Sequence, residues 1–239
     1  MKSILKKLQD DKHYYGAYGK QYLSNSNIGT LLTNPKEHGR PQKETLPMVQ
    51  GRYFHVSMLE PEKLSDFEII DASTRSTKIY KDQANGRLLL LRKEVDKLDK
   101  AIAEMKASTL SQEIYSEGTQ YEVPIIGEFF GVEFKGKADI ITKDKIIDIK
   151  TSSNIQKFRS SAYMYNYDSQ AYIYSTMFDK EMEFHVIDKE TLQMKVFTCS
   201  EEFLLRGREK VERAVAIWNR FFKDGHTEDV SQYIAEEVL

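Results

Sequence analysis

Apolar residues at helical spacing dominate the first half of the chain. Between positions 82 and 108 they recur at intervals of three and four, which predicts one long amphipathic helix. They are Leu88, Leu91, Val95, Leu98, Ile102 and Met105. Such a stripe suits a coiled-coil seam or an internal packing face, and its length of fewer than four heptads favours internal packing. Shorter helices are predicted at 22–32 and 48–59, with a polar loop at 36–47 between them.

The chain changes character after position 117, where β-branched and aromatic residues become frequent. Residues 121–150 predict a meander of three strands. Its turns are expected at Gly127, Gly131 and Lys143-Asp144. The remaining predicted elements are a helix at 160–178, strands at 181–188 and 194–199, and a helix at 201–223. Strands between flanking helices predict an α/β (α+β) fold with a mixed central sheet covered by helices.

Composition and charge narrow the functional classes without selecting one. With 40% hydrophobic and 30% charged residues, the chain can build a core, which excludes disordered and collagen-like classes. The single cysteine, Cys199, cannot form an internal disulfide or a four-thiolate metal site and suits a reducing compartment, so we expect a cytoplasmic protein. The longest aliphatic run, 88–91, is too short to span a bilayer. The net charge of −2 divides into +4 over residues 1–50 and −6 over the rest, which fits a solvated surface and a phosphate-facing one equally.

Two aspartates on successive predicted strands carry the most informative chemistry. Asp139 and Asp148 can lie close together there, and paired carboxylates suit Mg²⁺ or Mn²⁺. Lys150 projects from the same strand face as Asp148, since side chains alternate with a period of two. The same pattern, an acid followed two positions later by lysine, also begins at Asp10, Glu104 and Glu133. Only Asp148 interrupts an apolar strand, where a charge needs a partner, and an Asp–Lys ion pair and a metal site both satisfy that need.

Three further residues gain meaning only in combination. His55 lies in the predicted helix 48–59 without a second histidine at metal-ligand spacing, which by itself is more typical of a structural histidine. Gln170 and Tyr174 share a helix face and by themselves would be packing residues. Together with the aspartates, these residues resemble the RecB-type branch of the PD-(D/E)xK nuclease superfamily. The matching order is His55, Asp139, Asp148-Ile149-Lys150 and Gln170-Ala171-Tyr172-Ile173-Tyr174.

Within that branch the chain is most similar to phage recombination exonucleases of the lambda and exonuclease VIII type. The likeness runs over 22–178 and is supported by the segments 23–35, 53–61 and 74–78. It implies a restriction-endonuclease-like core and a single nuclease domain over 1–239. The expected parts are a largely helical part at 1–117 with His55, a catalytic sheet with the Gln-x-x-x-Tyr helix at 118–200, and C-terminal helices at 201–239. Ala138 replaces the proline that names the superfamily, and the lack of four cysteines excludes its iron–sulfur members.

The resemblance assigns a role to each matched residue. The implied ligands of Mg²⁺, for which Mn²⁺ can substitute, are His55, Asp139, Asp148 and the backbone carbonyl of Ile149. Lys150 would orient or deprotonate the attacking water, with a pKa lowered by the adjacent ion, or would donate to the scissile phosphate. Glu122 would serve a second metal ion. The implied DNA contacts are Gln170, Tyr174, Ser26 and Arg159, the last two at a terminal 5′-phosphate.

The resemblance also implies a function. We expect a Mg²⁺-dependent exonuclease that degrades double-stranded DNA ends in the 5′→3′ direction, in phage-type recombination or DNA processing. Related enzymes form rings around DNA, so a homo-oligomer is expected, with a single-strand annealing protein as partner and no membrane association. The expected location is the cytoplasm, that of the host if the chain is phage-encoded. The alternatives are a structure-specific or single-strand DNA endonuclease of the same fold and a non-catalytic nucleic-acid-binding protein.

Overall fold

A five-stranded mixed sheet runs through the second half of the chain, as its β-branched composition predicts. The computed structural model describes residues 2–234, so Met1 and positions 235–239 of the predicted C-terminal part lie outside the described residues. The strands are β1 (Ile69–Ile70), β2 (Leu90–Leu91), β3 (Gln120–Phe129), β4 (Val132–Ile141), β5 (Lys145–Ser152), β6 (Glu181–Asp188) and β7 (Met194–Thr198). The large sheet has the order β3-β4-β5-β6-β7, in which only β5 and β6 are parallel, while β1 and β2 form a separate parallel pair.

Helices cover both faces of this sheet. They are α1 (Lys2–Gln9), α2 (Asp11–Tyr15), α3 (Asn25–Thr33), α4 (Leu46–Leu59), α5 (Lys78–Ala84), α6 (Arg92–Ala107), α7 (Leu110–Ile114), α8 (Phe158–Met164), α9 (Tyr167–Phe178) and α10 (Glu201–Phe221). One core, around Phe134 and Phe184, lies under α3, α9 and α10, and a second, around Phe54 and Ile147, lies under α4 and α6. Within residues 2–234, every helix is too short or too polar to cross a membrane.

The crossover between β5 and β6 determines which helix covers the centre of the sheet. Parallel neighbours cannot be joined by a hairpin, so the chain returns through α8 and α9. Gly207 of α10 lets α9 approach closely, since a Cβ there would lie 2.1 Å from the Asp168 carbonyl oxygen. Gly127 of β3 likewise faces the Met177 side chain of α9. As a result α9 packs closely on the sheet, against β3, β4 and β6.

The predicted helix at 82–108 is wrong over its first third. Asn85 takes a left-handed conformation (φ 45°), which ends α5, and α6 begins only at Arg92, after the buried strand β2. The apolar periodicity continues across this break because Leu90 and Leu91 are needed in the core. Along α6 the predicted stripe is buried against the rest of the protein, which confirms internal packing over a coiled-coil seam.

Two other predictions need correction. The helix at 160–178 is divided into α8 and α9, because Asn166 adopts a left-handed conformation (φ 57°) between them. Gly127 is not a turn but pairs with Phe134 inside the β3–β4 ladder. The other two turns of the meander, at Gly131 and at 143–144, are confirmed. The short helices α1, α2, α5 and α7 are not predicted by the sequence pattern, since each spans at most eight residues.

Candidate metal centre

An irregularity in the sheet opens the site. The β3–β4 register pairs residues on both sides of Glu122 and Asp139 but omits these two. Glu122 has φ 50°, a left-handed conformation that is uncommon outside glycine. Ala138 and Ile140 belong to the cores on opposite sides of the sheet, although residues two apart on a regular strand share a face. Since β4 and β5 pair only near their connecting turn, the two strands separate at Asp139.

Three side chains from different elements converge at this opening. His55 of α4, Glu122 of β3 and Asp139 of β4 offer ligand atoms that all lie within 4.8 Å of one another. His55 Nδ1 is 3.2 Å from Asp139 Oδ2. The same Asp139 oxygen accepts a hydrogen bond from the backbone amide of Ile149 at 3.2 Å. The backbone of Ile149 therefore borders the cluster.

Asp148 and Lys150 lie beside this cluster. The Asp148 side chain is 2% exposed, and its Oδ1 forms an ion pair with the Lys150 ammonium. Its Oδ2 accepts a hydrogen bond from Gln170 Nε2 at 2.9 Å, and its carboxyl group contacts that of Asp139. The ion pair that the sequence offered as an alternative to a metal site thus exists next to the candidate ligands, so the two hypotheses are compatible.

The electrostatics of the cluster favour a bound cation. Burial raises the pKa of Asp139 well above its ordinary value, and the neighbouring charge of Asp148 raises it further. Burial and repulsion from Glu60 raise the pKa of Glu122 to about 7. Burial and the Lys150 charge lower the pKa of His55 to about 4, which keeps the imidazole neutral at pH 7, as a metal ligand must be. A divalent cation would relieve the repulsion, and one imidazole with several carboxylate oxygens fits Mg²⁺ or Mn²⁺.

Lys150 keeps a strongly basic ammonium among these carboxylates. Burial lowers its pKa, but attraction to Asp148 and Asp139 outweighs burial, so the pKa lies above the ordinary value for lysine. The expectation of a lowered pKa applies to the cation-bound site, because a cation would neutralise the same carboxylates. The ammonium also lies 5.1 Å from the centre of the Tyr167 ring.

Tyr174 supports the strand that carries Asp139. Its hydroxyl accepts from the backbone amide of Lys137 at 3.3 Å and donates to the Lys137 carbonyl at 3.1 Å. The Glu133 carbonyl and the Lys135 amide bond Leu23 and so point away from β3, and by strand alternation the backbone groups of Lys137 point the same way. The Tyr174 hydroxyl therefore bonds β4 on the side where β5 has separated from it. Tyr174 is 8% exposed. In this structure its contact is therefore with β4, as that of Gln170 is with Asp148, rather than with the open side of the site.

Removing the Tyr174 hydroxyl is expected to loosen the metal centre. Tyr174→Phe deletes both bonds to Lys137 and should weaken Mn²⁺ affinity by about tenfold, the usual effect of losing a group that orients a ligand strand. Isothermal titration calorimetry measures this. The control is Tyr172→Phe, on the same helix with its ring half-buried. Equal Mn²⁺ affinities for the two variants would show that the Tyr174 hydroxyl does not position Asp139.

Ser26 lies at a different place from the cluster. It is near the start of α3, where its hydroxyl is 2.9 Å from that of Ser24, and both serines line a cavity of about 1000 Å³. The charged residues of the same lining are Lys20, Arg40, Lys135 and Lys223 together with the acids Glu37, Glu133 and Asp224. Arg159, on α8, is exposed and is not part of this lining. The structure therefore gives Ser26 a polar environment of mixed charge without bringing Arg159 to it.

Sequence reasoning missed the charged residues that surround Glu122. Glu60, Lys63, Lys137 and Asp11 all act electrostatically on it. The position of Lys137, two before Asp139, was an available signal, whereas no spacing connects Asp11 to this region. A second cluster, of Glu113, Glu183 and His185, was also missed. There Lys145 already lies 2.8 Å from Glu113 and 3.0 Å from Glu183, so an ammonium group balances the acids.

Comparisons with known proteins agree with this architecture. A family model described as a PDDEXK-like domain of unknown function matches residues 29–232. A solved protein of Eubacterium rectale, described as a candidate exonuclease, has a TM-score of 0.67 at 15% identity, covering 96% of this chain and 95% of that one. Lower similarity is found for SSO0001, with a TM-score of 0.40 at 14% identity, covering 90% of this chain and 85% of that one. A phage-related exonuclease of Haemophilus somnus 129PT has a TM-score of 0.36 at 16% identity, covering 83% of this chain and 93% of that one. A search of curated proteins finds no match. The first likeness shows a shared fold.

Proposed function

The chain belongs to the family of PDDEXK-like domains, and from that membership we propose that it is a metal-dependent nuclease that hydrolyses DNA. The observation that carries the proposal is the convergence of His55, Glu122 and Asp139 within 4.8 Å, beside the Asp148–Lys150 pair. Such a concentration of buried acids around a neutral histidine is costly unless it binds a cation. We propose Mg²⁺ as that cation, with Mn²⁺ as a substitute.

The proposed ligands are His55, Asp139, Asp148 and the Ile149 carbonyl, with Glu122 serving a second ion. When bound, the cation supplies a more acidic water and neutralises charge on the phosphate. Gln170 fixes the Asp148 carboxylate through its hydrogen bond to Oδ2. Lys150 orients the attacking water, donates to the scissile phosphate or, after its ammonium has lost a proton, accepts the proton of that water. Its ion pair with Asp148 holds the side chain at the site.

The finer proposal is a 5′→3′ exonuclease on double-stranded DNA ends, active in phage-type recombination or DNA processing. It is supported by the sequence resemblance and by the lysines and the arginine in the cavity that Ser26 lines, which could contact a terminal phosphate. Arg159 is proposed as a second contact from outside that cavity, and Gln170 and Tyr174 as residues that position the DNA-binding site. By the same resemblance we propose a homo-oligomeric ring, a single-strand annealing protein as partner and a cytoplasmic location.

The deciding experiment compares DNA substrates. The protein is incubated in Mg²⁺, Mn²⁺ or EDTA with covalently closed circles and with end-labelled linear duplexes, with or without a 5′-phosphate. We expect metal-dependent loss of the linear DNA, intact circles, early release of the 5′ label and a preference for the phosphorylated end. Cleavage of closed circles would instead show an endonuclease. Absence of both cleavage and Mn²⁺ binding would show a non-catalytic protein.

A further inference from the structure

A carboxylate from the N-terminal segment holds two lysines beside the candidate metal centre. Lys137 Nζ lies 2.6 Å from Asp11 Oδ1, and Lys63 Nζ lies 2.8 Å from Asp11 Oδ2. Lys63 also pairs with Glu60 at 2.5 Å. The three groups come from α2, from the turn after α4 and from β4, so only the folded protein brings them together. One carboxylate therefore contacts two ammonium groups, one through each oxygen.

Both lysines border the residues that would bind the cation. Lys137 precedes Asp139 by two residues on β4, and its side chain is only 6% exposed. The charges of Lys137 and Lys63 both act on Glu122, which has a ligand atom within 4.8 Å of His55 and Asp139. Asp11, by contrast, is 44% exposed. The Lys137 ammonium is thus buried, whereas the Asp11 carboxylate that covers it is accessible to solvent.

A nucleic-acid phosphate has the chemistry to take the place of Asp11. A phosphodiester carries one negative charge shared by two terminal oxygens, as a carboxylate does, and lysine is a common phosphate ligand. A buried ammonium is costly without an anionic partner, so Lys137 needs Asp11 in the free protein. Exchange of the carboxylate for a phosphate would leave Lys137 with a partner in both states.

The backbone of α2 is held independently of the Asp11 side chain. The Lys135 ammonium donates to the Tyr14 carbonyl, and the Tyr14 ring centre lies 4.3 Å from Lys135 Nζ and 4.6 Å from Lys137 Nζ. Gln9 Nε2 donates to the Glu122 carbonyl at 3.1 Å. Because these contacts do not involve Asp11, its side chain can turn toward solvent while the helix stays in place.

We propose that Lys63 and Lys137 bind a backbone phosphate of the DNA strand next to the metal centre, and that Asp11 occupies this phosphate position until DNA displaces it. The inference rests on the proposed function, since it requires DNA at the centre. It assigns to α2 a competitive role: the Asp11 carboxylate lowers the affinity for DNA, and the two lysines raise it. A purely structural ion pair would instead stabilise the fold and leave DNA affinity unchanged.

The test measures DNA affinity separately from cleavage. Binding of a short fluorescent duplex is followed by anisotropy in Ca²⁺, under conditions where no cleavage is detected. Asp11→Asn is expected to tighten binding by about threefold to tenfold. The matched control, Asp10→Asn, removes the same charge from the neighbouring residue, whose carboxylate caps α2 and contacts His13 rather than the two lysines. Its affinity is expected to stay within about twofold of that of the wild type.

The lysine variants give the converse result. Lys137→Met is expected to weaken binding by about tenfold and to reduce the slope of log K against log salt by about 1, as loss of one phosphate contact does. The gain from Asp11→Asn should disappear when Lys63 and Lys137 are both methionine. If Lys137→Met does not fold, as judged by circular dichroism, Lys63→Met alone serves, because Lys63 is 35% exposed.

The possible failures are distinguishable. Equal affinities for Asp11→Asn and Asp10→Asn, or a gain from Asp11→Asn that persists without the lysines, would overturn the phosphate site. Metal-dependent cleavage by the wild-type protein would in that case leave the proposed function standing. A wild-type protein that neither binds nor cleaves DNA would remove both.

Discussion

Asp139→Asn and Asp148→Asn are each expected to abolish metal-dependent DNA cleavage, with a loss of about 10³-fold or more. Asp139→Asn removes a carboxylate oxygen from the centre at which His55, Glu122 and Asp139 meet, and Asp148→Asn removes one from the carboxyl group that contacts Asp139. Asparagine keeps the size of the side chain and can still accept the hydrogen bond from the Ile149 amide at position 139 or from Gln170 at position 148. The variants should therefore fold, and titration calorimetry should show weakened Mn²⁺ binding alongside the loss of cleavage.

Lys150→Ala is expected to lose cleavage to a similar extent but to retain Mn²⁺ binding. Its ammonium pairs with Asp148 and is not a ligand, so its removal leaves all the ligand oxygens in place. The comparison therefore separates residues that hold the cation from the one that acts on water or phosphate. Glu104→Gln is the control, because Glu104 begins the same acid-x-lysine pattern on α6 and its side chain is exposed. Near-normal Mg²⁺-dependent cleavage by any of the three site variants would exclude the assignment.

The central part of the fold could be predicted because its signals are local. The β3–β4–β5 meander follows from β-branched runs and from turns that the chain itself encodes. The helix breaks at Asn85 and Asn166 could not be located in the same way, since asparagine permits a left-handed conformation without requiring one. At Asn85 the apolar pattern continues across the break because Leu90 and Leu91, which lie outside the helix, are also buried. The spacing of apolar residues shows which residues are buried. It identifies a helix only where the backbone is also helical.

In the candidate site, too, some residues have a local sequence signal and others do not. Asp148 could be singled out because it interrupts an apolar strand, and Asp139 because it lies one hairpin earlier. What brings Glu122 to Asp139 is a missing pair in the ladder and a left-handed φ, neither of which has a sequence signature. The approach of Asp11 to Lys137 spans 126 positions and depends on how α2 packs on the sheet. Contacts of that kind follow from tertiary packing, which spacing along the chain does not report.

Glu122→Gln is expected to stabilise the protein in EDTA, and to do so only at neutral and higher pH. The folded-state pKa of Glu122 is raised to about 7 from an ordinary 4.5, by burial and then by repulsion from Glu60. Below pH 4.5 the carboxyl is protonated in both the folded and the unfolded chain, so it contributes no difference. Between pH 4.5 and 7 only the unfolded chain releases the proton, so stability falls as pH rises. Above pH 7 the loss is complete, about 2 kcal/mol after allowance for partial solvation.

The measurement is urea unfolding of wild-type and variant protein across pH 4 to 8.5. Groups far from Glu122 titrate equally in both proteins and drop out of the difference between the two free energies of unfolding. Asp139 contributes to that difference with the same sign, because the charge of Glu122 raises its pKa. That difference should be near zero at pH 4 and reach its full value by about pH 8. Glu128→Gln, on an exposed position of the same strand, is the control and should show no such rise.

Addition of Mn²⁺ should reverse the order of stability of the wild-type protein and Glu122→Gln. A cation bound to the ionised Glu122 stabilises the wild-type protein by mass action and gains less from the variant, so wild type becomes the more stable of the two at pH 8. The destabilising charge of Glu122 would then be the cost of holding a functional cation, as expected where acids are buried together for binding. If the difference in stability is independent of pH in EDTA, burial does not raise the pKa of Glu122. If it is unaffected by Mn²⁺ at pH 8, Glu122 is not part of the metal centre.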